Sequence, residues 1–375
     1  MPRPTKSIPT MVNELMKTLR QFLALTIIAV LAVGVGFGIA FKSFIDTPLV
    51  TDEQGFTYKV HLGASFKSMA TDLTSQHILS HPYFFTLLVQ HRHAVHELKA
   101  GEYFFAKGAT PDKMITQVVT GTGMILHAFT ITPGTTFRQL RQALDESKEL
   151  VHTTRKLSNQ EIMTRLGNPK MNPEGLFYPD TYYFVVDSSD LILLHRAYAA
   201  MQSKLTTAWE HRAPNLPFAT PYDALIAASV IEKEAREKTE LPIIAGVMMN
   251  RLRQGIMLQF DPTVIYGVGL RYTGTIYKKD LLDENPYNSY RHKGLPPTPI
   301  STPSLGAIDA VMHPDVNNYI YFVARGDGFH QFSTTLAEHN VACALAKQYH
   351  AGFFNTALVE RYLQKRFTQK KFSIN

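Results

Sequence analysis

The chain has 375 residues, of which 45% are hydrophobic and 18% are charged, so it can bury more than one core and is not intrinsically disordered. Its formal net charge of +7 is typical of a protein that binds an acidic polymer or lies against an anionic membrane surface. The basic residues are dispersed and are not interleaved with aromatic ones, which argues against nucleic acid as a partner. The single cysteine, Cys343, excludes a disulfide framework and a cysteine-rich zinc site.

An uncharged apolar stretch, residues 22–41, lies near the N-terminus. At about 1.5 Å per residue, a helix of this length spans about 30 Å, the thickness of the hydrocarbon core of a bilayer. The basic residues before it are Arg3, Lys6, Lys17 and Arg20, and they are opposed only by Glu14. The positive-inside rule predicts a single-pass anchor in the inner membrane, with the N-terminus in the cytoplasm and the rest of the chain outside it. The alternative is a signal peptide cleaved after Ala40, but the apolar run is longer than such peptides usually carry.

The pattern along the chain predicts five segments. Residues 1–21 form a cytoplasmic tail, residues 22–41 the membrane helix, and residues 42–56 a connector. Two modules follow, at residues 57–125 and 126–375. Because the connector is short, the first module is expected to lie close to the membrane.

Both modules are predicted to begin with a strand, a turn and a helix. In the first module, residues 58–62 alternate like a strand, Gly63 marks a turn, and residues 66–73 are typical of a helix. The same series recurs later in the chain with constant spacing, and the matching pairs are Gly63 and Gly134, Phe66 and Phe137, Lys67 and Arg138, and Leu73 and Leu144. The alternative is chance similarity of turn residues.

A capping signal precedes an apolar helix that runs into charged residues. Thr220 can cap this helix, Pro221 suits its first position, and Asp223 completes the spacing of a capping box. One face then carries, at helical spacing, Leu225, Ala228, Ser229 and Glu232.

Glu232 is the candidate catalytic acid. A carboxylate on an apolar face loses solvation, which raises its pKa and lets it hold a proton near neutral pH. Glu234 lies about half a turn away, so it is expected to point elsewhere and to be dispensable. The alternative is that Glu232 only marks the point where the helix reaches solvent.

Other chemical signals in the chain are weak. Asp261 is expected to cap a helix that begins with Pro262. Strand-like residues on either side of Asp327-Gly328 predict a hairpin over residues 319–332. His91, His93 and His96 are expected to be exposed, because no carboxylate or thiolate set accompanies them. With no phosphate loop, dinucleotide fingerprint or zinc motif, the sequence predicts neither a metal nor a cofactor.

Several blocks, taken in order, resemble the endolytic murein transglycosylase (YceG-like) family. They are Glu174-Gly175 with Pro179-Asp180-Thr181-Tyr182, residues 228–234, Asn250-Arg251-Leu252, Leu258-Gln259 with residues 261–267, residues 287–290, residues 294–297, residues 321–323 and residues 337–340. The resemblance covers residues 58–340, and it assigns the catalytic glutamate of the family to Glu232. Phe260 and Phe329 depart from the pattern, where a small polar residue and a glycine are expected.

The resemblance implies a mixed α+β protein, with a LysM-like module followed by a mixed α/β catalytic domain. It also implies non-hydrolytic cleavage of the bond between N-acetylmuramic acid and N-acetylglucosamine in peptidoglycan strands, and partnership with peptidoglycan synthases. In that reaction Glu232 would protonate the glycosidic oxygen and then take the proton of the C6 hydroxyl, which leaves a 1,6-anhydro end.

Gln259, Asn288 and Tyr290 are candidates to position the sugar and orient Glu232. The alternative is that these polar groups only satisfy the backbone of their loops. Two rival functions remain at the level of the sequence. One is a membrane-anchored glycan-binding protein without activity, and the other is a hydrolase that uses Asp261 or Glu338 as a second carboxylate.

Overall fold

The computed structural model describes residues 8–350. Its first element is one continuous helix, α1 (Ile8–Asp46), whose 39 residues make it about 58 Å long. It contains the predicted span, residues 22–41. Among the described residues it is the one helix that is long and apolar enough to cross a membrane, by length and composition.

The described chain divides into two compact units, of which the first comprises residues 8–127 together with Val185–Asp187. After α1 its elements are β1 (Phe56–Val60), α2 (Phe66–Ser75), α3 (Pro82–His91), β2 (Gly101–Phe105), α4 (Pro111–Thr120) and β3 (Met124–Ile125). The three strands form an antiparallel sheet in the order β1, β2, β3, with Tyr58 opposite Tyr103. The mixture of helices and strands confirms the predicted α+β class.

Part of the predicted connector, residues 42–56, packs against the first unit. Helix α1 continues to Asp46, and both Phe44 and Val50 are buried in the core of the first unit. The ring of Phe84 lies 5.4 Å from Phe37, 5.7 Å from Phe41 and 5.6 Å from Phe44, measured between centroids. This aromatic contact, together with the buried side chains, ties the end of α1 into the unit, because leaving them in water would expose large apolar surfaces.

The second unit comprises residues 128–184 and 188–350 of the described chain. Its helices are α5 (Phe137–Glu146), α6 (Asn159–Arg165), α7 (Asp190–Glu210), α8 (Pro221–Glu234), α9 (Leu241–Arg253), α10 (Asp261–Val268), α11 (Lys278–Leu281), α12 (Leu305–Met312) and α13 (Leu336–His350), with short 3₁₀ turns at Lys238–Glu240 and Gly269–Arg271. Its strands are β4 (His127–Thr130, which begins at the boundary), β5 (Leu150–Val151), β6 (Thr181–Phe184), β7 (Ser188–Ser189), β8 (Tyr321–Ala324) and β9 (His330–Ser333). The strands pair two by two, as β4 with β6, β5 with β7, and β8 with β9.

The structure confirms the repeated strand–turn–helix pattern. Gly63 and Gly134 both adopt left-handed backbone, with φ of 79° and 77°, which glycine tolerates without steric cost. Each is followed two residues later by a capping-box residue, Ser65 before α2 and Thr136 before α5. The predicted hairpin is also confirmed, since β8 and β9 pair antiparallel across the turn.

Helix α8 is the central element of the second unit. Its predicted capping box is confirmed, with the Thr220 hydroxyl accepting from the Asp223 amide. Every residue from Ala224 to Ile231 is buried, and α8 packs against α7, α9, α10 and α12. Because α8 is apolar on all sides, its sequence does not show which neighbouring element the side chains of its last residues face.

We expect Phe84→Ala to loosen the junction between α1 and the first unit. The change removes the three ring contacts that this half-buried side chain makes with α1, so the free energy of unfolding of this unit should fall by about 1–2 kcal/mol. Hydrogen exchange in α2 and α4 of the full-length protein in detergent would measure it. The neighbouring Tyr83 is 70% exposed, and Tyr83→Ala should cost less than about 0.5 kcal/mol. Equal effects of the two variants would contradict the assignment.

Candidate active site

The carboxylate of Glu232 faces the start of helix α12. Its Oε2 accepts hydrogen bonds from the Ser304 amide, at 2.9 Å, and from the Ser304 hydroxyl. Ser304 is the N-cap of α12, and its Oγ also accepts from the Ala307 amide. On the same face of α8, the buried Ser229 hydroxyl accepts from the Ile300 amide at 3.0 Å. The polar end of the predicted face therefore holds α8 against residues 300–304, which is a structural role.

Glu234, two residues further along α8, has a different environment. Its Oε2 is buried and has no hydrogen-bond partner in the described part of the chain. Burial raises the pKa of Glu234 to about 8, and the negative charge of Asp261 adds to the rise. Glu234 has different neighbours from Glu232, as predicted, and it has the properties of an acid that is protonated at neutral pH, which supports a role for a residue that was expected to be dispensable.

Asp261 faces Glu234 rather than capping its own helix, so the expected capping role is wrong. Phe260 occupies the cap position of α10, and its amide donates to Ser289 Oγ at 2.9 Å. Asp261 is already the first helical residue, and its exposed carboxylate accepts from the Tyr290 hydroxyl at 2.7 Å. Burial of the Tyr290 ring, this hydrogen bond and the nearby carboxylates all raise the pKa of Tyr290, which keeps its proton on the phenol.

Arg251 is a buried cation that organises the loop before α10. Its guanidinium donates to the carbonyl oxygens of Met257 and Leu258, at 3.0 and 2.7 Å, and to that of Ile320 at 2.6 Å. It also donates to Gln259 Oε1 at 3.1 Å. Four directed bonds from one rigid group fix the loop that leads to Asp261.

Gln259 is held in a strained conformation at the same place. Its φ of 54° is left-handed, which costs a non-glycine residue about 1–2 kcal/mol. Its side chain is bound by Arg251, and its amide donates to the Ser289 carbonyl at 3.1 Å. The side chain is exposed, and the surrounding bonds present it at the entrance to α10.

Asn288 does not belong to this group, because its side chain makes all its hydrogen bonds within its own loop. The amide donates to the carbonyls of Asp280, Leu281 and Asp283, at 3.2, 3.2 and 2.7 Å. Its Oδ1 accepts from the Tyr290 amide at 3.0 Å. Since every polar atom is paired and the residue is buried, the structure favours the alternative in which Asn288 only shapes its loop.

The structure therefore gathers one set of side chains and separates another. Glu234, Asp261, Tyr290, Arg251 and Gln259 form the candidate site, while Glu232 and Asn288 hold neighbouring elements in place. The sequence predicted neither Glu234 nor Arg251 as a site residue, and it indicated Asp261 only for the rival hydrolase. All three residues lie in the blocks that carry the family resemblance, which was a signal for the site. The direction in which each side chain points cannot be read from those blocks.

The two departures from the family pattern lie in different environments. Phe260 is fully buried, with its ring 5.6 Å from that of Phe322, so it changes the packing beneath the loop. Phe329 is 39% exposed in the turn of the hairpin. Within the described residues, no group of three or more histidine, cysteine, aspartate and glutamate side chains is arranged to hold a metal ion.

A buried carboxyl group with a raised pKa, beside a second carboxylate and a tyrosine, defines a general acid–base site in a mixed α/β protein. The model of the YceG-like family matches residues 58–344, and the chain belongs to this family.

Similar proteins extend across most of the chain. The endolytic murein transglycosylase of Bacillus subtilis (strain 168) is 30% identical over 296 residues, which cover 75% of this chain and 81% of that protein. A protein of the same name from Streptococcus pneumoniae serotype 2 is 24% identical over 335 residues, covering 80% of this chain and 60% of that one. A solved YceG-like protein from Listeria monocytogenes is 26% identical, with a TM-score of 0.49, and the match covers 77% of this chain and 99% of that chain.

The pKa of Glu234 predicts how stability depends on pH. The folded pKa of about 8 lies above the ordinary value of 4.5, so folding favours the protonated form. This contribution is complete below about pH 4.5 and is lost as the pH rises through about 8. Glu234→Gln stays neutral throughout, so relative to wild type its stability should rise across this window, by on the order of 5 kcal/mol in total. Thermal unfolding of both proteins from pH 4 to 9 measures the difference, and a constant difference would contradict the assigned environment.

Proposed function

We propose that the protein is an endolytic murein transglycosylase, which cleaves within the glycan strands of murein without consuming water. Its membership of the YceG-like family and the names of its relatives support this function. The observation that carries the mechanism is the buried carboxyl group of Glu234, whose pKa of about 8 keeps it protonated at neutral pH.

In the first step, Glu234 donates its proton to the glycosidic oxygen as the bond from that oxygen to the C1 carbon of N-acetylmuramic acid breaks. The leaving N-acetylglucosamine departs as a neutral alcohol, and Glu234 becomes a carboxylate. The positive charge that develops at C1 is met by the N-acetyl oxygen of the same sugar, so a second enzymic carboxylate is not required.

In the second step, the Glu234 carboxylate takes the proton from the C6 hydroxyl of the same sugar. The C6 oxygen closes on C1, which yields a 1,6-anhydro end and restores the protonated acid. Within the described protein no hydrogen bond engages the buried Oε2, so no protein partner holds the carboxyl group in one protonation state during either step.

The neighbouring groups prepare Glu234 for this cycle. The charge of Asp261 disfavours ionisation of Glu234, and Asp261 is itself held by the Tyr290 hydroxyl. Gln259, fixed by Arg251, presents an exposed amide that can bind a sugar hydroxyl. We therefore propose Gln259 and Tyr290 as positioning residues for the glycan and the acid.

The sequence assigns the acid to Glu232, whereas the environment of Glu234 supports Glu234, and the two assignments predict opposite results. Glu234→Gln should lower kcat by about 10²–10⁴-fold, because a neutral amide neither donates nor accepts the catalytic proton. Glu232→Gln replaces a charged acceptor of the Ser304 bonds, so it should lower stability by about 1–2 kcal/mol and keep most of the activity. Product formation from purified glycan strands, with the melting temperature of each variant, measures both effects.

The outcome that would restore the sequence assignment is loss of product from Glu232→Gln at a melting temperature near wild type, with Glu234→Gln still active. Activity in both variants would contradict a mechanism in which a single residue of α8 is the catalytic acid. Absence of product from the wild type would instead favour a glycan-binding protein.

A hydrolase is the second candidate, because Asp261 places another carboxylate beside Glu234. Glu338 does not support this role, since its Oε2 accepts from the amide and hydroxyl of Thr334, both at 2.9 Å. Mass spectrometry of the wild-type products separates the two reactions. A hydrolytic product is heavier by one water than the 1,6-anhydro product that we expect.

We also propose that α1 anchors the protein in the inner membrane, with the N-terminus in the cytoplasm and the site outside it. The basic residues before the apolar run support this orientation, and a mean hydropathy of 2.6 supports insertion. In this arrangement residues 57–125 are a LysM-like module and residues 126–375 the catalytic domain, close to newly made strands and to the peptidoglycan synthases that extend them.

A reporter enzyme that is active only outside the cytoplasm tests this topology. Fused after Asn375, it should be active and should stay in the membrane fraction after a salt wash, because α1 is retained. Replacing Arg3, Lys6, Lys17 and Arg20 with glutamate removes the positive flank and should lower the fraction of active reporter. A soluble, shortened product would show cleavage of α1 instead.

A further inference from the structure

A cavity of about 570 Å³ lies next to the candidate active site within the second unit. Its walls include Lys233 from α8 and Pro262 from α10. In the chain Lys233 directly precedes Glu234, and Pro262 directly follows Asp261, so the two helices that carry the carboxyl groups also form part of the cavity wall. A group attached to a sugar that is bound at Glu234 can therefore enter the cavity.

Two cations line this cavity. Arg138, in the first turn of α5, is exposed, and its guanidinium makes no hydrogen bond or ion pair with the described residues. Lys233 uses one of its three donors, to the Gly134 carbonyl at 3.3 Å. Most of the N–H donors of both side chains are therefore available to a ligand in the cavity.

The wall contains one carboxyl group, Glu174, against these two cations. Its oxygens accept from the Phe137 amide at 2.9 Å and from the Tyr266 hydroxyl at 3.0 Å. Burial raises the pKa of Glu174, while these hydrogen bonds and the charge of Arg138 lower it. Two cations against one carboxyl group make the cavity positive overall.

The remaining wall is apolar and partly open. Leu270 lines the cavity with 84% of its surface exposed, and Ile265 and Tyr272 lie on the same wall. Cations combined with exposed apolar surface fit a ligand that carries carboxylates and small hydrocarbon groups. The hydroxyl groups of a glycan strand alone would bind neither the cations nor the apolar surface strongly.

We propose that this cavity binds the acidic peptide carried by the muramic acid of the strand, with Arg138 and Lys233 pairing with its carboxylates. This inference rests on the proposed function. Murein peptides are short, carry several carboxylates and contain alanine methyl groups, which match the two kinds of wall. The peptide is attached to the same sugar whose C1 bond is cleaved, so a cavity formed in part by α8 and α10 is suited to receive it.

The inference predicts a preference for strands that bear peptides over strands stripped of them by an amidase. The full-length enzyme in detergent should show a higher kcat/KM on peptide-bearing strands. Arg138→Gln removes the cation, so the ratio of kcat/KM on the two substrates should fall about fivefold, mainly through KM. Raising the salt concentration should reduce the wild-type ratio in the same direction, since exposed ion pairs are screened.

Lys67 supplies a matched control, because it occupies the position of Arg138 in the first strand–turn–helix unit and does not line the cavity. Lys67→Gln loses the same charge, and the substrate ratio should stay at the wild-type value. A wild-type enzyme that cleaves both substrates equally would overturn the inference and leave the proposed function intact. An equal loss of kcat/KM on both substrates in Arg138→Gln, or an equal change of the ratio in Lys67→Gln, would also overturn it.

Discussion

The carboxyl group of Glu234 lies at the end of a buried helix, with one oxygen out of reach of water and without a hydrogen-bond partner among the described residues. Ionising it there would leave an unsolvated charge beside that of Asp261, so the proton is retained to about pH 8. Burying this polar atom without a partner lowers the free energy of unfolding. Such a cost is typical of a site where the missing partner is supplied by the substrate.

The rest of the second unit holds this group in position. Ser229 and Glu232 bind residues 300–304 and the start of α12, which fixes the rotation of α8 about its own axis. Arg251 fixes the loop that leads into α10, and this sets the position of Asp261. Two carboxylates that are only two residues apart on one helix therefore have different roles, since one binds the scaffold and the other faces the site.

Much of the local structure could be predicted from the residues. The capping box at Thr220, the turns at Gly63 and Gly134 and the hairpin of β8 and β9 depend on neighbours within a few positions, and the structure confirms them. The cap of α10 was predicted wrongly, because an aspartate before a proline suits both the cap and the first turn. The Phe260 amide instead donates to the Ser289 hydroxyl, from a loop later in the chain, and Phe260 takes the cap position before Asp261.

By itself, the sequence determined the apolar N-terminal helix and the mixed class, because hydrophobic periodicity and short motifs record burial and local hydrogen bonding, and its ordered blocks identified the family. Only the tertiary structure supports Glu234 over Glu232 as the proposed acid. An apolar stripe identifies the core-facing side of a helix, but α8 is buried on all sides. The electrostatic environment of each carboxyl group then depends on what lies opposite it, Ser304 in one case and Asp261 in the other, and these partners are 72 and 27 residues away in the chain.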